Sequence, residues 1–309
     1  MRIATYTLFN TGVNNLQRRQ QDLASSQEQM TTGKRVARVG DDPAAAARAE
    51  RAMIATQRAD ANQRALDASR SAMMLAESAL GEAGELMQQA RDTVMAAGNP
   101  SYTDAEREML VLSLRGLRDQ LLVVANRADG VGTFLFGGQG SASPPFVDAP
   151  GGVQYQGSDG QTQVDAGQPV PLAIDGRHAW LEATNPVAGD PPLSLFDTLD
   201  RVIGELSTPG RGDPEVAQTV HDGLRDLDAS LNHLLVWRAR AGETLNRQDS
   251  LENRIADARL GAQYERSLAE DLDMVQAISE FQTRQTGYDA ALRAYSTVQR
   301  MSLFNYING

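Results

Sequence analysis

The sequence has no cysteine among its 309 residues. Disulfides, cysteine-ligated zinc and thiol nucleophiles are excluded together. That absence suits a chain exported unfolded and assembled outside the cell, where no redox machinery is needed. Aromatic residues are scarce, at 5%, although the hydrophobic fraction is an ordinary 41%. Ala, Leu, Met and Val therefore supply most of the apolar surface, a mix that favours slender helical packing over a thick globular core. Long apolar runs are missing too. The longest aliphatic stretch, Leu121 to Ala125, falls far short of the roughly 20 residues a bilayer span needs, so no membrane insertion is expected. Met1 to Thr11 holds one basic residue and no apolar core of signal-peptide length. A cleaved secretory signal is not expected, and leaving the cell would require a dedicated route. Positive charge is in deficit: 29 Lys and Arg stand against 40 Asp and Glu, for a net charge of −11. Such a chain repels phosphate backbones, so no nucleic-acid partner is expected.

Proline and glycine map the organisation. Eight of the twelve prolines and ten of the 27 glycines lie between Thr133 and Pro192. From Glu215 onward there is no proline, which permits a very long helical tract. The chain reads as helical, then rich in loops and strands, then helical again.

The first helix is expected over about Val13 to Thr32. Val13, Leu16, Gln20, Leu23, Gln27 and Met30 recur at alternating spacings of 3 and 4, a seam of period near 3.5 interrupted by two glutamines. Gly33 suits its C-cap. Asp42-Pro43 reads as an N-cap followed by proline at the first helical position. That second helix runs to Ala97, on the order of 80 Å at 1.5 Å per residue. Met73, Ala76, Leu80, Ala83, Met87, Ala90 and Val94 line one of its faces. Thr103 and Glu106 form a capping box for a third helix, whose stripe is Leu110, Leu114, Leu117, Leu121, Val124 and Ala128 and which ends near Asp129-Gly130.

Strand candidates follow at Val153–Gln156, Thr162–Asp165 and Val170–Ile174. Asp175-Gly176 reads as a hairpin turn between Val170–Ile174 and Arg177–Leu181. This acidic insert of about 60 residues sits near the lower limit for independent folding and is expected to lean on the helices. A helix over Leu195–Leu206, a helix start at Asp213-Pro214 and a stripe of Leu224, Leu227, Leu231 and Leu234 come next. The last helix carries Met274, Ile278, Phe281, Gln285, Tyr288, Leu292 and Tyr295, again spaced 4 and 3. The simplest arrangement pairs the two chain ends as an antiparallel coiled coil. Glutamines in such a seam lower the stability of the free chain and can fix register between chains, which points to contacts made in an assembled state.

Catalytic or metal chemistry finds no foothold. His178, His221 and His233 lack ligand spacing, and His178 is read as a surface or hairpin residue. Asp42 is explained by capping and Gly137-Gly138-Gln139-Gly140 by loop geometry, since no Lys-Ser/Thr follows. Arg211-Gly212-Asp213 resembles an adhesion tripeptide but falls in a helix-start loop. No metal or cofactor is expected, and no enzyme.

Several segments carry a family resemblance. Met1-Arg2-Ile3-Ala4-Thr5, Thr32-Gly33-Lys34-Arg35-Val36 and Asp41-Asp42-Pro43-Ala44-Ala45 resemble the N-terminus of the flagellar hook-associated proteins that join hook to filament, within the flagellin-like superfamily. Thr133-Phe134-Leu135-Phe136-Gly137-Gly138 is similar to the entry of that family's β-insert, and Tyr155-Gln156-Gly157 to a strand motif there. Asp271 to the end, closing on Ser302-Leu303-Phe304-Asn305-Tyr306-Ile307, resembles its C-terminus.

The resemblance implies a mainly α fold with a small β insert. Residues 1–40 and 271–309 would form an inner coiled-coil domain, 41–132 and 193–270 a helical rod, and 133–192 an outer β-rich domain. It implies a structural, extracellular role at the hook–filament junction. The partners would be further copies of the chain in a ring, the first hook-associated protein, flagellin and a cytoplasmic export chaperone binding near the C-terminus. Export would use the flagellar type III apparatus. A flagellin-type filament subunit, or an adhesin presenting the β insert, are the alternative readings. The expected assembly interface is the pair of terminal seams.

Overall fold

The computed structural model describes residues 2–130, 132–139, 143–160 and 163–307, with the backbone alone over 2–9 and 301–307. Thr162, where one strand candidate begins, lies outside the described residues, as do the side chains of the two motifs at the chain ends. The elements are α1 (Arg2–Thr32), α2 (Pro43–Ala97), α3 (Asp104–Ala125), β1 (Phe146–Ala149), β2 (Gly152–Tyr155), β3 (Gln163–Asp165), β4 (Pro169–Pro171), α4 (Gly176–Trp180), α5 (Leu195–Leu206), α6 (Asp213–Glu270) and α7 (Met274–Ile307). The strands form two antiparallel pairs, β1 with β2 and β3 with β4. The fold is mainly α with a small β insert. Among the described residues no helix is long and apolar enough to cross a membrane. The chain divides into two compact units, one of Met1–Ala59 with Asp257–Gly309 and one of Asp60–Ala256, the division falling within α2 and α6.

Local chemistry sets the helix ends. Gly33 takes φ +70° and its N–H donates to the Gln29 carbonyl (2.9 Å), closing α1. The Asp42 carboxylate accepts from the Ala45 N–H (2.9 Å) ahead of Pro43, opening α2. That bond, with the Arg35 guanidinium, holds the Asp42 carboxyl below its usual range. Thr103 and Glu106 complete a capping box before α3, and Ser194 caps α5.

The 60–256 unit holds a continuous core. The face of α2 from Met73 to Val94 is buried as its spacing predicts. It shares one cluster with Leu114 and Leu121 of α3, Leu199 and Val202 of α5, and Leu227 and Leu234 of α6. Each fully buried Leu or Met side chain is worth roughly 2–3 kcal/mol of transfer free energy. The 133–192 segment adds Phe136, Phe146 and Trp180 to the same cluster as Phe196 of α5. Phe136 meets Trp180 edge-on at 5.3 Å, and Trp180 stacks on Phe196 at 6.1 Å. The Tyr155 hydroxyl donates to the Phe136 carbonyl (3.2 Å), and burial pushes its pKa up to about 12.

An ion-pair node pins the insert to the helices. Arg118 of α3 is almost fully buried. Its guanidinium grips Asp148 of β1 in a bidentate pair and donates twice to Asp200 of α5, at 3.1 Å each. The hydrogen bonds from Arg118 hold the Asp148 carboxyl below the usual carboxylate range. On the other hairpin, the buried Ser69 hydroxyl of α2 donates to the Pro171 carbonyl (2.5 Å) and accepts from Gln248 of α6 (2.6 Å).

Several expectations are corrected. The first helix begins at Arg2 rather than Val13. The third ends at Ala125, with Asn126 as its cap, rather than at Asp129-Gly130. Two forces outweigh helix propensity there. The Asn126 side chain exchanges two hydrogen bonds with the Phe146 backbone (2.8 and 2.9 Å), and Arg127 to Asp129 turn back to pair with Thr133 to Leu135. Ala128 is consequently exposed and outside the stripe.

Asp175-Gly176 is not a hairpin turn, and Arg177–Leu181, His178 included, is no strand. The Asp175 carboxylate accepts from the N–H of His178 (3.2 Å) and of Gly160 (2.8 Å), so it caps α4. Burial alone would raise its carboxyl, but these bonds and the His178 ring bring it below its ordinary value. Gly176 is there for space: a Cβ would lie 2.2 Å from the Phe136 carbonyl oxygen. The candidate strand Val170–Ile174 shrinks to Pro169–Pro171, and β1 went unanticipated.

Candidate assembly interface

α1 and α7 pack against each other in opposite directions. Gly12 faces Tyr295, Arg19 faces Gly287, and Ser26 faces Arg284. Small residues permit this approach: a Cβ on Gly12 would lie 3.0 Å from the Tyr295 ring, and one on Gly287 would lie 2.9 Å from the Arg19 guanidinium. Arg284 Nη1 donates to the Ser26 hydroxyl (2.6 Å) and to the Asp22 carbonyl (3.2 Å). These contacts fix the register of the two helices.

The turns beside the pair are tied as well. Lys34 bridges Asp271 in antiparallel fashion, and the Arg35 N–H donates to the Glu270 carbonyl (2.7 Å). Lys34 Nζ reaches the Glu270 carboxylate (3.2 Å), and the Arg35 guanidinium donates to the Ala269 carbonyl (2.8 Å). The Asp273 carboxylate then caps α7 by accepting from the N–H of Val275 and Gln276 (3.0 and 3.1 Å). The Lys34-Arg35 step thus clamps the α6–α7 turn.

What the pair lacks is burial. Among the described residues of α1 and α7, Ser26 alone is buried, at 5% exposure. Val13, Leu16, Leu23, Met30, Phe281, Tyr288 and Tyr295 are half-buried. Met274, Ile278 and Leu292 are exposed, as are Gln20, Gln27 and Gln285. Beyond those residues Val275 is 82% exposed. Elsewhere in the same unit the buried side chains are mostly alanines, Ala45, Ala49, Ala52, Ala59, Ala262 and Ala269. Burying an alanine methyl contributes only about 0.8 kcal/mol. A helix pair held by so little, yet displaying apolar side chains along its length, has surface to give to a partner.

The sequence reading missed part of this surface. Leu260, Tyr264 and Leu268 recur every four residues on α6 and are all exposed. Their spacing was the available signal. It also missed Gly12, Ser26, Arg284 and Gly287, which lie beside the apolar stripes rather than on them.

The residues weighed for chemistry have structural partners. Asp41 accepts from the N–H of Ala37 and Arg38 (3.1 and 2.8 Å), and Asp42 caps α2. The His178 ring lies between Asp175 (2.9 Å) and Glu182 (3.2 Å), and the His178 carbonyl meets the His233 ring at 2.6 Å. Arg211 donates to the Thr219 hydroxyl (2.8 Å) and to the Glu205 carbonyl (3.0 Å), and Asp213 opens α6.

Comparison with known proteins places this geometry. Residues 3–141 match the bacterial flagellin N-terminal helical region. Flagellar hook-associated protein 3 of Salmonella typhimurium is 31% identical over 315 aligned positions, covering 98% of this chain and 99% of that protein. The protein of that name in Escherichia coli matches with the same identity and coverage. Among solved structures, flagellar hook-associated protein 3 of Legionella pneumophila superposes with a TM-score of 0.62 at 19% identity, over 70% of this chain and 97% of its own. At that identity the structural likeness speaks to the fold.

Proposed function

The chain belongs to the flagellar hook-associated protein 3 family of structural flagellar proteins, and on that premise we propose that it is the junction subunit between hook and filament. The inner coiled-coil layer is formed by residues 1–40 and 271–309, and copies assemble through it into a ring. The helical segments 41–132 and 193–270 lie outside it, with 133–192 outermost. One side of the ring meets the first hook-associated protein and the other meets flagellin. No bond is made or broken in this work.

The observation that carries the reading is the state of α1 and α7. They are paired and in register, yet their apolar seam is at best half-buried. A neighbouring subunit that covers Met274, Ile278 and Leu292 supplies the burial the isolated pair lacks. Subunits related by a rotation and a rise must use two different patches head to tail, which builds rings or filaments. Near-full-length identity to hook-associated protein 3 favours the junction over a flagellin-type filament subunit or an adhesin.

The same weakness suits export. Terminal helices with so small a core of their own unfold at little cost, as passage through the flagellar type III channel requires. A cytoplasmic chaperone bound near the C-terminus shields α7 until then.

Removing the gene and inspecting cells by electron microscopy tests the reading. Hooks without filaments are expected, with monomeric flagellin shed into the medium. Filaments of normal number and length would overturn it.

A further inference from the structure

Among the described residues, the outer face of α3 is left uncovered. Its inner stripe, with Val111, Leu114 and Leu121, is buried. On the opposite side Met109, Leu112, Gly116 and Val123 follow one another at spacings of 3, 4 and 7. Met109 is 64%, Leu112 57% and Val123 70% exposed. Residues at such spacing form a seam of period 3.5, the pattern by which one helix receives another.

Gly116, at the centre, is the telling residue. Glycine inside a helix is among the least favoured choices. A Cβ at Gly116 would meet nothing within 4 Å, so packing within the chain does not demand its absence. A glycine on an open helix face is what a closely approaching backbone requires. Asp119 lies on the same stripe. Its only ion pair among the described residues is a long one, 3.7 Å, to Arg118, which is already committed to Asp148 and Asp200.

The chain also carries a face that complements this one. Along α2, Ala44, Ala47, Arg51, Ile54 and Arg58 recur at spacings of 3 and 4 and are all exposed. Arg51 Nε reaches back only to the Ala47 carbonyl (3.2 Å), and Arg58 makes no ion pair among the described residues. This face is small-sided and basic where the α3 face is large-sided and acidic. The lengths agree too. Met109 to Val123 and Ala44 to Arg58 each advance by 14 positions, about 21 Å of helix.

We propose that the outer face of α3 receives the Ala44–Arg58 face of α2 from a second copy of this chain. Two different complementary patches on one chain make a head-to-tail contact that repeats from subunit to subunit. Met109, Leu112 and Val123 enter the alanine-lined surface, Ile54 approaches over Gly116, and Asp119 pairs with Arg51 or Arg58. The contact rests on the junction reading only in taking the chain to assemble with itself. It is separate from the α1–α7 surface.

A photo-crosslinking residue at position 112 of the full-length protein, irradiated on assembled flagella, tests it. The expected product has twice the chain mass, and its cross-linked peptide falls within residues 44–58. Gly116→Gln should cut that yield by at least about tenfold, as loss of a central close-packed contact does, while the free protein melts no lower than the parent. A product with flagellin or any other protein, with a different segment of a second copy, or no product from flagella of normal form would each overturn the proposal. Charge reversal reads the contact independently. Asp119→Arg should reduce the number of filaments per cell, and adding either Arg51→Asp or Arg58→Asp should restore it. Equal loss in the single variant and in both double variants would count against it. Failure of the terminal-seam reading would look different: Leu292→Asp would assemble normally while the cross-link from position 112 still formed.

Discussion

Leu292→Asp should abolish assembly while the free protein melts close to the parent. Leu292 sits on the α7 seam and is 40% exposed in the isolated chain. A carboxylate there keeps its water, so the cost to the monomer should stay within about 1 kcal/mol, as for most partly exposed positions. The proposed assembly covers the same position with a neighbour. Burying an unpaired charge then costs about 3 kcal/mol or more per contact, and in a ring every subunit would incur it. Filament counts by electron microscopy and thermal melting of the purified variant measure the two halves. Normal filaments would refute the seam, and a melting point far below the parent would show that Leu292 belongs to the monomer's own core.

Arg118→Met should have the opposite profile, a large loss of monomer stability. The guanidinium joins α3, β1 and α5 through Asp148 and Asp200, and it lies 5.9 Å from the centre of the Phe196 ring. Removing it strands two carboxylates beside Asp197, whose own carboxyl burial already raises. Breaking a buried pair by deleting one partner typically costs 3–5 kcal/mol, but Asp148 and Asp200 keep contact with solvent, so about 2–3 kcal/mol is expected. For a unit of this size that lowers the melting point by roughly 5–10 °C.

The pH dependence gives a second readout. The folded-state pKa of Asp148 is depressed, so its contribution to stability is present above the usual carboxylate range and is lost as pH falls through the folded value. The parent should therefore lose stability on acidification below about pH 4, and Arg118→Met should show a shallower loss there. Parallel acid curves for the two proteins would contradict the role given to this node.

Most helix boundaries could be read from the sequence because local chemistry writes them. Proline in the first turn of α2, a capping box before α3 and Ser194 before α5 act within three or four residues. Two of the failures share one cause, a partner far along the chain. Asn126 ends α3 by binding Phe146, 20 positions on. Asp175 looks like a turn until Gly160 donates to it from 15 positions back.

The terminal seams show the same limit. Their period identifies α1 and α7 and the pairing of the chain ends. It cannot show that Gly12, Ser26, Arg284 and Gly287 set the register, because those residues are small or polar and fall beside the stripe. Nor does a stripe say whether its cover comes from the same chain or from a neighbour. That information lies in the burial, which stops halfway at Val13, Leu16, Phe281 and Tyr288.

On the proposed reading, α1 and α7 are completed by neighbouring subunits. Amide hydrogen exchange over residues 10–32 and 274–300, measured in the free protein and in isolated flagella, tests it most directly. Exchange should be fast in the free protein, where these helices share almost no core, and slowed by about a hundredfold or more on assembly, since exchange rates follow the free energy of local opening. Residues 72–97, already packed, should be protected in both. Equal protection of the terminal helices in the two states would contradict the account.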